Sequence, residues 1–196
     1  INVYEPQNYK LFEKNLLKNK RNQSRNLEGK SKLFLIKQFN KISFRRLKYK
    51  NLLFSNIYGF NKDTKNPLLV DKIFHNLYLN KKYMITLPIK NKLIIDYIFI
   101  NDAVIAVDFF LQKLIKDKFK HPFINIGSGK GYKIEQIFNL IDKKKNIKKN
   151  YFEYKNKKYL LTSINLAKKY GWKPKYSLIQ GIKITTQKYR NINSKI

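Results

Sequence analysis

Asp96-Tyr97-Ile98-Phe99-Ile100-Asn101-Asp102 decides the fold. A short, nearly unbroken apolar run reads as a strand buried on both faces. Asn101 or Asp102 then offers a side-chain oxygen to the free N–H groups of a following helix, Ala103–Ile115. A buried strand passing straight into a helix is the repeating unit of an α/β protein.

The same alternation extends in both directions. Downstream, Phe123–Ile126 reads as a strand ending in Gly127-Ser128-Gly129, which is read as a strand-to-helix turn into a helix over Tyr132–Ile141. Tyr151–Tyr154 is a strand, Ser163–Tyr170 a helix stopped by Gly171, and Leu178–Tyr189 a closing helix. Upstream, Leu52–Ile57 is a short buried strand feeding a turn at Tyr58-Gly59. Pro67 opens a helix over Leu68–Leu79, because proline suits the first helical turn. Tyr83–Leu87 is a strand and Pro88–Lys92 a turn. Leu33, Ile36, Phe39 and Phe44 place a helix over Gly29–Phe44. Glu5–Leu27 is a loop with one helical turn around Tyr9–Leu16, and Ile1–Tyr4 is the end of a strand.

Composition bounds the function. At 196 residues and 43% hydrophobic, the chain can bury a core. No apolar run reaches the roughly 18 residues of a membrane span, so no membrane partner is expected, and the opening residues carry no signal-peptide pattern. Cysteine is absent and only His75 and His121 are present, so no metal site is expected. His75 reads as a surface or packing residue, and His121, before Pro122, as loop. The first residue is Ile1, which points to a fragment, a processed chain or a trimmed one. The formal charge of +31 invites a nucleic-acid reading. Against it, lysines are spread over all element types among abundant Asn, Ile, Tyr and Phe, the residues of A/T-rich codons. Arginine, the better fork for phosphates and base edges, is scarce. Nucleic acid is therefore not the expected partner, and a cytoplasmic protein is.

Five phrases stand in fixed order: Glu28-Gly29-Lys30-Ser31-Lys32, Ser55-Asn56-Ile57-Tyr58-Gly59, Asp96 to Asp102, Asn125-Ile126-Gly127-Ser128-Gly129, and Gly171-Trp172-Lys173-Pro174-Lys175. Together they resemble the second half of the NAD-dependent epimerase/dehydratase family, extended short-chain dehydrogenase/reductases that remodel nucleotide sugars. The resemblance implies the C-terminal part of a Rossmann-type parallel sheet plus a smaller α/β substrate-binding domain. Residues 1–60 would be the remaining Rossmann elements. Residues 61–196 would be mainly substrate domain, with Rossmann elements returning around 96–116. It implies NAD or NADP as cofactor for the full-length family, a nucleotide-sugar substrate and possible homodimers, in relatives often through the helix matching Gly29–Phe44.

In that family a Tyr and a Lys four residues later share one helix face. The Tyr exchanges a proton with a sugar hydroxyl during hydride transfer, and the Lys lowers its pKa. Here Lys32 holds the Lys position, for catalysis and cofactor binding, and Glu28 stands where the Tyr belongs. A carboxylate beside an ammonium stays ionised, near a pKa of about 4.3, and is no general acid. The same spacing also describes a surface i,i+4 ion pair. Asn56 matches a substrate-contacting position, and a strand-end Asn serving a turn fits equally. The Arg positions of the family carry Leu53 and Ile95. Asp96 and Asp102 match a buried anchor and a helix start, and Trp172 and Pro174 packing and turn positions. The Gly-rich cofactor turn and the catalytic Ser/Thr are absent from these 196 residues. The expectation is thus an epimerase/dehydratase-like protein whose chain is inactive alone and prone to associate at an open sheet edge. A non-catalytic nucleotide-sugar or partner binder, and a basic nucleic-acid binder, remain as alternatives.

Overall fold

A computed structural model of the protein describes residues 4, 7, 11–16, 27–41, 49–88, 93–143, 147–152 and 158–193. Helices and strands alternate in the order α1 (Glu13–Leu16), α2 (Leu27–Lys41), β1 (Asn51–Phe54), β2 (Asn56–Tyr58), α3 (Leu69–Tyr78), β3 (Ile85–Pro88) and β4 (Leu93–Phe99). There follow α4 (Ile100–Ile115), β5 (Phe123–Ile126), β6 (Gly131–Lys133), α5 (Ile134–Ile141), β7 (Lys149–Phe152), β8 (Lys158–Leu160), α6 (Asn165–Lys169) and α7 (Leu178–Asn193). The α/β class read from the sequence holds. The expected strand over residues 1–3, the helix beyond 41, the turn at 89–92 and the strand end at 153–154 lie outside the described residues.

The strand expected over Leu52–Ile57 is in fact two. β1 pairs in parallel with β5, Leu53 facing Asn125. β2 pairs in parallel with β4, Asn56 facing Tyr97. The chain changes sheets at Ser55, whose N–H makes the last bond to β5 at Ile126 O, 2.7 Å away. Beyond Ile126 the partner strand turns away, so Asn56 must find another ladder.

β4 is the structural centre. It also pairs in parallel with β8 and antiparallel with β6, so Ile95 lies between Leu160 and Tyr132. Period-2 alternation sends its side chains to opposite faces. Ile95, Tyr97 and Phe99 join a core built with α3, α5 and α7, including Phe74, Phe138 and Tyr189. Ile98 joins a second core of α4, β5, α6 and Trp172. A third core sets Leu33 and Ile36 of α2 against Leu53 and Phe123. β3 pairs with β7 as a separate parallel ribbon.

Two further expectations are corrected. The helix read over Tyr132–Ile141 begins only at Ile134. Residues 131–133 are taken by the ladder to β4, and the Gln136 side chain accepts the Lys133 N–H at 3.0 Å to start the helix. Neither Asn101 nor Asp102 caps α4, which starts at Ile100 behind Phe99 without a side-chain cap. The Asp102 carboxylate instead accepts Lys175 N–H at 2.8 Å and Tyr176 N–H at 3.0 Å, holding the chain that enters α7. A long-range tie has taken the oxygen that a local cap would have used.

Burial of phenols gives this fold a pH signature. Tyr4, Tyr58, Tyr97 and Tyr132 are all pushed above their ordinary value, chiefly because burial disfavours the phenolate. Tyr189 is pushed up to about 12 for the same reason. The fold therefore favours the neutral phenol, whereas the unfolded chain ionises near 10. The stabilisation is whole below about pH 10 and is lost as pH rises through the folded values. Thermal melts from neutral pH to pH 11 should show a midpoint that falls only above about 10, with tyrosinate absorbance rising at the unfolding step. A midpoint flat to pH 11 would contradict this burial.

Candidate functional site

The first two turns of α2 carry the Glu28–Lys32 pair. Lys32 Nζ lies 2.6 Å from Glu28 Oε1, and both side chains are half-exposed. The i,i+4 spacing stacks the two on one face, with the acid toward the positive end of the helix dipole. Such a pair contributes roughly 0.2–0.5 kcal/mol.

Asn56 opens β2 elsewhere in the fold, and its amide approaches Asp96 O at 3.4 Å. Leu53 and Ile95, at the family's Arg positions, are both buried among apolar side chains. His75 is buried, with Nε2 2.8 Å from Asn61 O, and so is a packing residue. His121 Nδ1 lies 2.7 Å from Tyr170 Oη.

Residues that the sequence did not link form a tight polar knot at the carboxyl end of β5. Asp96 is wholly buried. Its carboxylate accepts Ser128 N–H at 2.9 Å, Ser128 Oγ–H at 2.6 Å, Gly129 N–H at 3.0 Å and Thr162 Oγ–H at 3.4 Å. Burial pushes the carboxyl above its usual range, opposed by these donors. A Cβ at Gly127 would strike Asp96 Oδ2 and come within 2.9 Å of Ser55 Oγ, so only glycine fits there. The Gly127-Ser128-Gly129 turn leads into β6 rather than directly into a helix, correcting the sequence reading. Asp96 as an anchor was legible, but Thr162, at a separation of 66 residues, was not.

The knot decides whether this chain can cradle a dinucleotide. The Ser128 and Gly129 N–H groups, which would suit a phosphate, are already given to a carboxylate, and that charge repels a second anion. The Lys32 ammonium is engaged by Glu28. The Gly127–Gly129 turn thus does not fit the pyrophosphate of a nicotinamide dinucleotide. Among the described residues there is no cluster of three or more His, Asp or Glu able to hold a metal, and no helix is long and apolar enough to cross a membrane.

Among the described residues, clefts open on the surface at two places away from the knot's carboxylate. One, about 300 Å³, is lined by residues of α4 and the loop after it, including Phe109, Lys113 and Lys118. The other, about 390 Å³, lies between Glu13, His121, Ser163 and Lys169. Neither is lined by Glu28, Lys32 or Asn56.

No family model matches the chain. It is 26% identical over 162 residues to the protein of Methanocaldococcus jannaschii named "Putative UDP-glucose 4-epimerase", covering 81% of this chain and 50% of that protein. The UDP-glucose-4-epimerase of Stenotrophomonas maltophila, solved with NAD and formylated UDP-arabinopyranose, superimposes with a TM-score of 0.74 at 15% identity, over 99% of this chain and 62% of that one. The UDP-glucose 4-epimerase of Thermotoga maritima with UDP-glucose gives 0.68 at 23% identity, over 84% and 53% of the two chains. The chain spans about half the length of the curated relative it matches. Its parallel α/β fold and its sequence alike resemble those of the NAD-dependent epimerase/dehydratases, over about half the length of such a protein.

Proposed function

We propose that this chain is the substrate-side half of a nucleotide-sugar epimerase/dehydratase-like protein, and that its 196 residues do not turn over substrate alone. The observation that carries the reading is the Glu28–Lys32 bond, 2.6 Å long, at the positions where the resembled family has its proton-exchanging Tyr and its Lys. A phenol at position 28 could pass a proton to or from a sugar hydroxyl. A carboxylate held by an ammonium has no proton to give near neutral pH. Asn56, two residues beyond the carboxyl end of β1, is the residue assigned to the substrate. Lys32 would orient the sugar and cofactor where a dinucleotide-binding half is present. The exposed Phe34, Leu35 and Phe39 of α2 fit a homodimer through that helix.

The test has two readouts. The purified chain, given NAD or NADP with UDP-, GDP- or dTDP-sugars, is expected to yield no product; product would overturn the inactivity. Nucleotide sugars, without NAD, are expected to raise the melting midpoint by mass action. A midpoint indifferent to every nucleotide sugar would sink the substrate-side assignment while leaving the inactivity standing. A shift without turnover is also what the non-catalytic binder predicts, and the Glu28–Lys32 pair favours that second reading.

A further inference from the structure

The structure gathers one subset of the chain's lysines on a single rim that includes neither Asn56 nor Asp96. The rim lies at the amino ends of β1 and β5, the opposite end of these strands from Ser55 and Gly127. Lys50 immediately precedes β1, and His121 and Pro122 precede β5. Lys113 closes α4, and Lys116, Lys118 and Lys120 follow it. Lys168 and Lys169 end α6.

Packing holds these segments together around a shared aromatic cluster. Phe119 lies 5.2 Å from both Phe110 and Tyr170 between ring centroids. Tyr170 Oη accepts Lys120 N–H at 3.0 Å and meets His121 Nδ1 at 2.7 Å. Lys50 Nζ sits 5.8 Å from the Phe119 centroid, and Lys113 Nζ 5.2 Å from that of Phe109. The two clefts flank this ridge, one with Lys113, Lys116 and Lys118, the other with His121 and Lys169.

Seven lysines thus stand beside three carboxylates, Glu13, Asp108 and Asp117, and Glu13 accepts the Asn125 N–H at 3.0 Å. Residues 113–121 hold four lysines in nine, about twice the density of Lys and Arg in the chain, 43 in 196. Codon bias explains the abundance of lysine. It does not explain why four of them, Lys113, Lys116, Lys118 and Lys169, line two clefts beside one packed aromatic cluster.

We infer that this rim binds the phosphate backbone of a single-stranded nucleic acid, laid across the two clefts. Spaced ammonium groups along a groove, carried on segments that a buried aromatic cluster packs together, supply the backbone contacts of a sequence-indifferent single strand. A single strand bends into successive hollows, whereas a stiff duplex bridges over them. The site is independent of the nucleotide-sugar reading, and the lysine ammonium, a point charge without a planar fork, suits backbone binding without base readout.

The test is fluorescence titration of a labelled oligouridylate of about 20 nucleotides at several salt concentrations. Three proteins are compared: the natural chain, a rim variant carrying Lys113→Gln, Lys116→Gln, Lys118→Gln and Lys120→Gln, and a control carrying Lys30→Gln, Lys37→Gln, Lys183→Gln and Lys188→Gln. Matching melts establish that each is folded. The rim variant should bind roughly tenfold or more weakly, with a log–log salt slope reduced by about 3, at about 0.7 per lost phosphate contact. The control should stay within about twofold. Equal losses in the two variants would mean diffuse charge and overturn the rim. Tighter binding of a duplex of the same length would overturn the single-strand assignment, and no binding at low salt would overturn both.

Discussion

Tyr189→Ala is expected to destabilise the protein by about 3–5 kcal/mol, the range for removing a large, fully buried aromatic side chain. Tyr189 is inaccessible to solvent, although it sits near the end of the last helix. Its ring stacks on Phe74 with centroids 5.1 Å apart and planes 8° from parallel, and meets Phe60 edge-on at 4.8 Å. Its hydroxyl donates to Asn61 O at 2.5 Å and accepts Asn61 N–H at 3.2 Å. Ring and hydroxyl can be separated. Tyr189→Phe keeps the ring and loses both bonds, and should cost only about 1–2 kcal/mol. Chemical denaturation of the three proteins checks this. Equal losses for Ala and Phe would show that the hydroxyl, not the packing, carries the site.

Asp96→Asn should cost roughly 2–4 kcal/mol, although it changes a single atom. The carboxylate receives four donors on two oxygens, and an amide can offer only one oxygen. Whichever way it is turned, its NH₂ faces N–H or O–H groups that also need acceptors, and buried donors left unpaired are costly. Ser128→Ala, which removes one donor and leaves the carboxylate three others, should cost about 1 kcal/mol. Loss below about 1 kcal/mol for Asp96→Asn would mean that water serves the knot, contrary to the burial of this site.

The comparison of these sites shows what a sequence can and cannot reveal. The strand at Phe123–Ile126 and the helix over α4 were legible because their apolar residues repeat at the period of one element. β6 was not, because Gly131-Tyr132-Lys133 carries no strand pattern and exists as a strand only through its partner. The split at Ser55 was invisible for a similar reason: an unbroken apolar run does not say that its two halves serve different ladders. Of the site residues, Glu28 and Lys32 were legible as a pair from spacing alone, and they are joined as the i,i+4 ion pair that this spacing describes. Asn56 was legible as a strand-end residue. What the sequence hid was the use of the Gly127–Gly129 amides, which look open to a phosphate until Asp96, distant in the chain, is seen to hold them.

The C-terminal segment has a consequence for how the chain folds as it is made. The hydroxyl of Tyr58 is bonded to Leu178 O across 120 residues, Asn61 to Tyr189 across 128, and Asp102 to Lys175 and Tyr176 across 73 and 74. All these ties close on residues within or just before α7. On the ribosome, residues around 58–61 would wait through some 120 further residues of synthesis with their buried partners still unmade. Closing such long loops is slow because the entropic cost comes before the contacts that repay it. Helix α7 is therefore a latch: the core around β4 can collapse without it but stays unlocked until α7 itself has been made.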